Sequence, residues 1–198
     1  MRGLKMLEDY AVVLDYLPRG RADEIRPREM VQLLGTKNFT LLEAVPRKEA
    51  DIKIGDIAYV GKEKRDKVER IVGRINYEDL TGVAKTELNA SILKIIKERE
   101  KEFVEFFNKC GAINIRQHQL ELLPGIGKKH AEDILREREK KHFESFEEIS
   151  TRVELLPNPT KLVADRIEAE IKGVDKYFIF VRPPRREEEF TYQRRYRR

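Results

Sequence analysis

Tryptophan is absent from the 198 residues, cysteine occurs once and methionine three times. A lone Cys110 excludes an intramolecular disulfide and suits a reducing compartment. No apolar run approaches the length of a membrane span, and the N-terminus lacks the charged-then-apolar pattern of a secretory signal. The expected location is therefore cytoplasmic, with no membrane partner. Common enzyme motifs are missing too: there is no Gly-x-x-x-x-Gly-Lys phosphate loop, no nucleophile elbow and no His or Cys pair at metal-ligand spacing. His118, His130 and His142 are too far apart along the chain to make a local ligand cluster, and no clustered carboxylates stand out from the Glu-rich helical surfaces. The expectation is a protein that is not an enzyme and needs no cofactor.

Charge is what the chain has in quantity. Charged residues make up 39% of it, the kind of surface that forms ion-pair networks in heat-adapted proteins. The net charge of +5 is unevenly placed, because residues 182–198 hold seven Arg against three Glu, leaving only +1 for everything before them. A broad basic face is not implied for the body, so any polyanion contact there is local. The tail is either a solvated end or a source of added phosphate contacts from Arg194, Arg195, Arg197 and Arg198, with Tyr192 and Tyr196 between arginines.

One stretch makes an unusual backbone demand: Leu123-Pro124-Gly125-Ile126-Gly127-Lys128-Lys129-His130-Ala131. Pro124 stops a preceding helix. Gly125 and Gly127 are expected to supply left-handed backbone to a tight hairpin, and Ile126 to plug it into a core. A helix then begins, and its first-turn N–H groups at Gly127, Lys128 and Lys129 lie at the positive end of the dipole, a recipe for holding phosphate.

With Leu120, Leu123, Ala131, Ile134 and Leu135, these residues resemble the helix-hairpin-helix modules of sequence-non-specific DNA-binding proteins. From Ile113 to about Gly173 the chain is similar to tandem helix-hairpin-helix domains of DNA-uptake proteins and excision-repair nuclease subunits, with Phe143-Glu144-Ser145-Phe146-Glu147-Glu148-Ile149 as the link to a second copy. That copy departs from the pattern, having Leu156-Pro157-Asn158-Pro159-Thr160-Lys161 where a second Gly-x-Gly is expected. It is either a packing partner or, through Thr160 and Lys161, a secondary nucleic-acid contact. The resemblance also implies a monovalent cation at the backbone carbonyls of Glu121, Leu123 and Ile126. In DNA glycosylases a Schiff-base lysine occupies the position of Lys129, but their catalytic aspartate segment is here Phe146-Glu147-Glu148-Ile149, so half of the pair is missing.

Toward the N-terminus the pattern is strand-like. Ala11–Leu14, Met30–Gly35, Phe39–Val45, Ile57–Val60 and Val68–Ile75 are short apolar or alternating runs, with a turn at Thr36-Lys37-Asn38. Five strands in about seventy residues favour a small OB-like barrel, and Ile54-Gly55-Asp56-Ile57-Ala58-Tyr59-Val60-Gly61 resembles a strand entry of OB-type RNA-binding barrels. Tyr59, Phe39 and Tyr16 are candidates for stacking bases, or else core residues. Thr81-Gly82 is expected as an interdomain joint. After it, Leu88, Ile92, Ile95, Ile96, Phe103, Phe106 and Phe107 predict one long helix stopping at Gly111. Further helices are expected at 117–123, 128–141, 146–155 and 160–172, and a strand at 177–181 that returns to the barrel and staples the domains together.

The fold class expected is α+β: an N-terminal OB-like barrel over 1–80, a connecting helix over 81–111, an all-α tandem helix-hairpin-helix domain over 112–173, and a strand and basic tail over 174–198. The whole resembles an uncharacterised archaeal family of proposed DNA-binding proteins. It implies nucleic-acid binding, DNA rather than RNA, through Gly125, Ile126, Gly127, Lys128, Lys129 and His130. The alternative is an RNA-binding or protein-assembly factor of the ribosomal or transcription machinery.

Overall fold

The computed structural model describes residues 8–20 and 28–183. It divides into two compact units, Met1–Ser91 with Glu170–Arg198 and Ile92–Ala169.

In the first unit five strands, β1 (Tyr10–Leu17), β2 (Met30–Gly35), β3 (Leu41–Pro46), β4 (Ile57–Tyr59) and β5 (Val68–Arg74), form one curled antiparallel sheet in the order β4-β1-β2-β3-β5. The period of two decides what faces inward. Ala11, Val13, Val31, Leu33, Leu42, Ala44, Ala58, Val60 and Val68 make one buried cluster, with Tyr16, Ile52 and Ile71 packed against it. Opposite faces carry a polar row. Asp15, Gln32 and Glu43 are in register across β1, β2 and β3, and Gln32 Nε2 donates to Glu43 Oε1 at 3.2 Å and to the Asp79 carbonyl at 3.0 Å.

That row seats helix α1 (Gly82–Glu98). Thr81 donates its N–H to Gln32 Oε1 at 2.9 Å and its hydroxyl to Asp15 Oδ2 at 2.6 Å, while its Oγ1 accepts the Ala84 N–H at 3.0 Å as an N-cap. The expected joint is thus a fixed cap. The expected C-terminal strand is absent, because the N–H groups of Ile179, Phe180 and Val181 are all taken by the Glu170 carboxylate at 2.8–2.9 Å, leaving none for a ladder. The segment does return to the sheet: Arg182 N–H reaches the Asn38 carbonyl at 3.3 Å, and Arg74 Nη2 donates to the Arg182 carbonyl.

In the second unit the long helix is interrupted. Arg99, at φ −114°, closes α1, and α2 (Glu100–Lys109) starts anew. The aromatic stripe docks by Phe107, whose ring lies 6.3 Å from that of Phe146, and by Asn108, which exchanges two 2.9 Å hydrogen bonds with the Phe143 backbone. The helix expected at 117–123 is instead a small hairpin, β6 (Ala112–Asn114) with β7 (Gln117–His118), followed by a 3₁₀ turn over Gln119–Leu122. Then come α3 (Lys128–Lys140), α4 (Phe146–Arg152) and α5 (Pro159–Ile171).

Candidate functional site

The first hairpin sits on a buried apolar set. Leu120, Leu123, Ile126, Ala131 and Ile134 are buried, and the chain turns through Leu123 N–H to Leu120 O and Ile126 N–H to Leu123 O, both 3.0 Å. Only one glycine is left-handed. Gly125 has φ +89°, whereas Gly127 is extended at φ −92°, ψ −179°, a conformation open to any residue. The expectation of two left-handed glycines is therefore corrected at Gly127. A Cβ there would meet nothing within 4 Å, so the missing side chain serves neither backbone nor packing and leaves the start of α3 open.

At that start the first intrahelical bond is Ala131 N–H to Gly127 O at 3.0 Å, so the N–H groups of Lys128, Lys129 and His130 precede it. No side chain caps α3 and its first turn has no acidic residue. Lys128 and Lys129 are exposed and His130 is half-buried. The second hairpin differs. Asn158 Oδ1 accepts the Lys161 N–H at 3.1 Å, capping α5 from within the chain, with Thr160 half-buried and Lys161 exposed beside it. Leu155, just before this segment, takes a left-handed backbone at φ +57°. Pro157 Cγ would lie 3.7 Å from a Cβ on Gly125, so the two hairpins abut. Arg194, Arg195, Arg197 and Arg198 lie outside the described residues.

One guanidinium lies beside the carbonyl set expected for a cation. Leu123 O already accepts from Ile126, and the buried Arg166 donates Nη1 to the intervening Leu122 carbonyl at 3.0 Å. A guanidinium fixed there works against a second cation. Among the described residues no group of three His, Cys, Asp or Glu is placed to hold a metal.

Several supporting residues escaped the sequence reading. His118 caps the 3₁₀ turn, its Nδ1 accepting the Leu120 N–H at 3.2 Å while Glu121 Oε1 accepts the His118 N–H at 2.8 Å. Burial, aided by the Arg138 charge and opposed by Glu121, holds the imidazole below its ordinary pKa. Arg138 Nη1 donates to the Phe107 and Cys110 carbonyls at 3.1 and 2.8 Å. Burial pushes the Cys110 thiol up to about 11, so it is not a thiolate nucleophile near neutral pH. At α4 Ser145 is the N-cap, its Oγ accepting the Glu148 N–H at 3.1 Å.

A family model described as "Protein of unknown function (DUF655)" matches residues 7–182. The chain belongs to that family. Its DUF655 relatives are archaeal. Uncharacterized protein MJ0038 of Methanocaldococcus jannaschii is 46% identical over 178 residues, spanning 88% of this chain and 80% of that protein. The crystal structure of Af1531 from Archaeoglobus fulgidus, described as a DUF655 family model, is 48% identical, with a TM-score of 0.82 over 88% of this chain and all of that one. The DUF655 fold is mixed α+β, a five-stranded antiparallel sheet with five helices among the described residues. No helix there is long and apolar enough to cross a membrane. Of the aromatic candidates on this DUF655 sheet, Phe39 is buried at φ +53° and Tyr16 packs on the core cluster. Phe39 is thus removed from base stacking by burial, while Tyr59 stays half-exposed.

Proposed function

We propose that this DUF655 protein binds nucleic acid without sequence preference, DNA rather than RNA, through backbone-phosphate contacts of the first hairpin. In this reading the sheet is an OB-like domain, the helices of the second unit a tandem helix-hairpin-helix, and the protein a cytoplasmic, non-enzymatic binding module. The observation that carries it is the inequality of two helix starts. The start of α5 is capped by Asn158, whereas that of α3 is left without a cap, without a Cβ at Gly127 and without an acid in its first turn. Three N–H donors at a dipole's positive end, flanked by Lys128 and Lys129, take a phosphate oxygen and carry no base information.

The second reading, an RNA-binding or protein-assembly factor, has two observations in its favour. Ile115 is fully exposed at the β6–β7 turn, and residues 92–169 hold as many acidic as basic side chains. A docking surface of that kind would be insensitive to salt.

Gly127→Asp separates the two. An aspartate N-cap should keep or slightly raise thermal stability, yet place a carboxylate where the phosphate belongs. Duplex affinity, read by fluorescence anisotropy at low salt, should fall on the order of tenfold or more, and Lys128→Glu with Lys129→Glu should do the same. A folded Gly127→Asp protein that binds duplex as wild type does would remove the hairpin from the interface.

A further inference from the structure

The sheet carries a feature that its own packing does not require. Tyr10 on β1 and Tyr59 on the edge strand β4 are register partners, and their rings meet edge to face, 5.4 Å apart at 67°. Tyr10 is 53% exposed, and Ile57, two residues along β4 on the same face, is 44% exposed. A core tyrosine would be covered; here Tyr10 stands in solvent and Tyr59 is half-exposed beside it.

The Tyr59 ring and the Tyr10 backbone are also held in place. Tyr59 Oη accepts the Glu63 N–H at 3.3 Å. Gly61 is glycine because of that ring: a Cβ at 61 would lie 2.3 Å from Tyr59 Oη and 2.5 Å from its Cζ. Its backbone is not left-handed, so space and not φ selects the residue. Arg65 Nε ties down the same loop through the Val60 and Gly61 carbonyls at 3.2 and 2.8 Å. On the other side, Thr36 donates its N–H and hydroxyl to the Tyr10 carbonyl at 2.9 and 3.1 Å. The Thr36 turn continues into Lys37, whose N–H is held by Glu8 Oε2 at 2.9 Å, and the loop after β4 carries Lys62, Lys64 and Arg65 together with the carboxylates Glu63 and Asp66.

We propose that Tyr10 and Tyr59 form a preorganised platform on which single-stranded nucleic acid stacks an unpaired base, with Lys37, Lys62 and Lys64 taking the flanking phosphates. A buttressed tyrosine pair with lysines in the adjoining turn and loop matches what a single strand offers, since every base has a π-face and every linkage a charge. Duplex DNA has no free base face to give. The platform shares with the hairpin reading only the class of ligand, and it uses none of the hairpin's residues.

The test titrates the full chain with a fluorescein-labelled oligodeoxythymidine of about a dozen nucleotides and with a matched duplex at low salt. Because the protein has no tryptophan, quenching of tyrosine emission reports stacking directly. Tyr10→Ala and Gly61→Ala should each weaken the single strand on the order of tenfold and leave the duplex unchanged, while Tyr10→Phe, which keeps the ring, stays within about twofold. Circular dichroism checks that each variant folds, and Tyr10→Ala carries the test if Gly61→Ala does not. Wild-type affinity of Tyr10→Ala for the strand, or no binding of the strand by wild type, overturns the platform. Loss of strand binding in Lys128→Glu with Lys129→Glu, but not in Tyr10→Ala, overturns it while leaving the hairpin reading in place. The reverse pattern supports the platform, and the duplex titration of the same variants decides the hairpin reading.

Discussion

At His118 a single proton decides whether a cap exists. Its Nδ1 must be bare to accept the Leu120 N–H, and burial, with the Arg138 charge, lowers the folded pKa below the ordinary value. The unfolded chain therefore takes up the proton first, at about 6.5. A depressed folded pKa means stability is present above the unfolded value and lost as pH falls through it toward the folded one. Thermal midpoints should thus drop between pH 7.5 and 5.5, and His118→Asn, which can still accept the Leu120 N–H, should lessen that drop. An equal drop in both proteins would show that other groups carry it. None of this was legible in the sequence, where three scattered histidines say nothing of caps. The hairpin glycines were legible as a pair, but a glycine needed for φ and one that leaves space open look alike in one dimension. Only the dihedrals separate Gly125 from Gly127.

Helix α5 supports the hairpin that precedes α3 through a side chain that no motif predicts. Arg166 is 2% exposed and its Nη1 is bonded to the Leu122 carbonyl at 3.0 Å, so it fixes the backbone just before the turn. Arg166→Met keeps the volume and removes the donor. It should cost about 1–3 kcal/mol in denaturant unfolding and lower duplex affinity under conditions where the variant is fully folded. Full affinity in a destabilised variant would mean that the hairpin holds its shape without this contact. Elements whose apolar runs are well marked match their sequence expectation: β2 is Met30–Gly35, and α3 ends at Lys140, one residue short of the expected end. The errors have local causes. Apolar spacing runs unbroken across Arg99, so the change from α1 to α2 leaves no mark in it. In Gln117–Leu123 the N–H groups of His118 and Leu120 bond to side chains, which competes with a helix.

Across the whole molecule the charge is divided more sharply than the fold, and this yields the last prediction. Residues 184–198 hold six Arg and three Glu, whereas the body is nearly neutral. Arg182 belongs to the folded part, since its N–H and carbonyl are bonded to Asn38 and Arg74, and a truncation after Pro183 leaves those contacts intact. If the hairpin and the tail hold about three or four phosphates together, log affinity for duplex DNA should fall with log salt at a slope on the order of −3. Removing 184–198 should flatten that slope by about one or two and lower affinity at low salt. Gly127→Asp in the truncated chain should then flatten it further, since the two act on different phosphates and their effects add. A slope that the truncation leaves unaltered would assign all counterion release to the body. A salt-independent affinity in the full chain would instead favour the protein-docking reading, in which apolar burial around Ile115 and not phosphate neutralisation holds the partner.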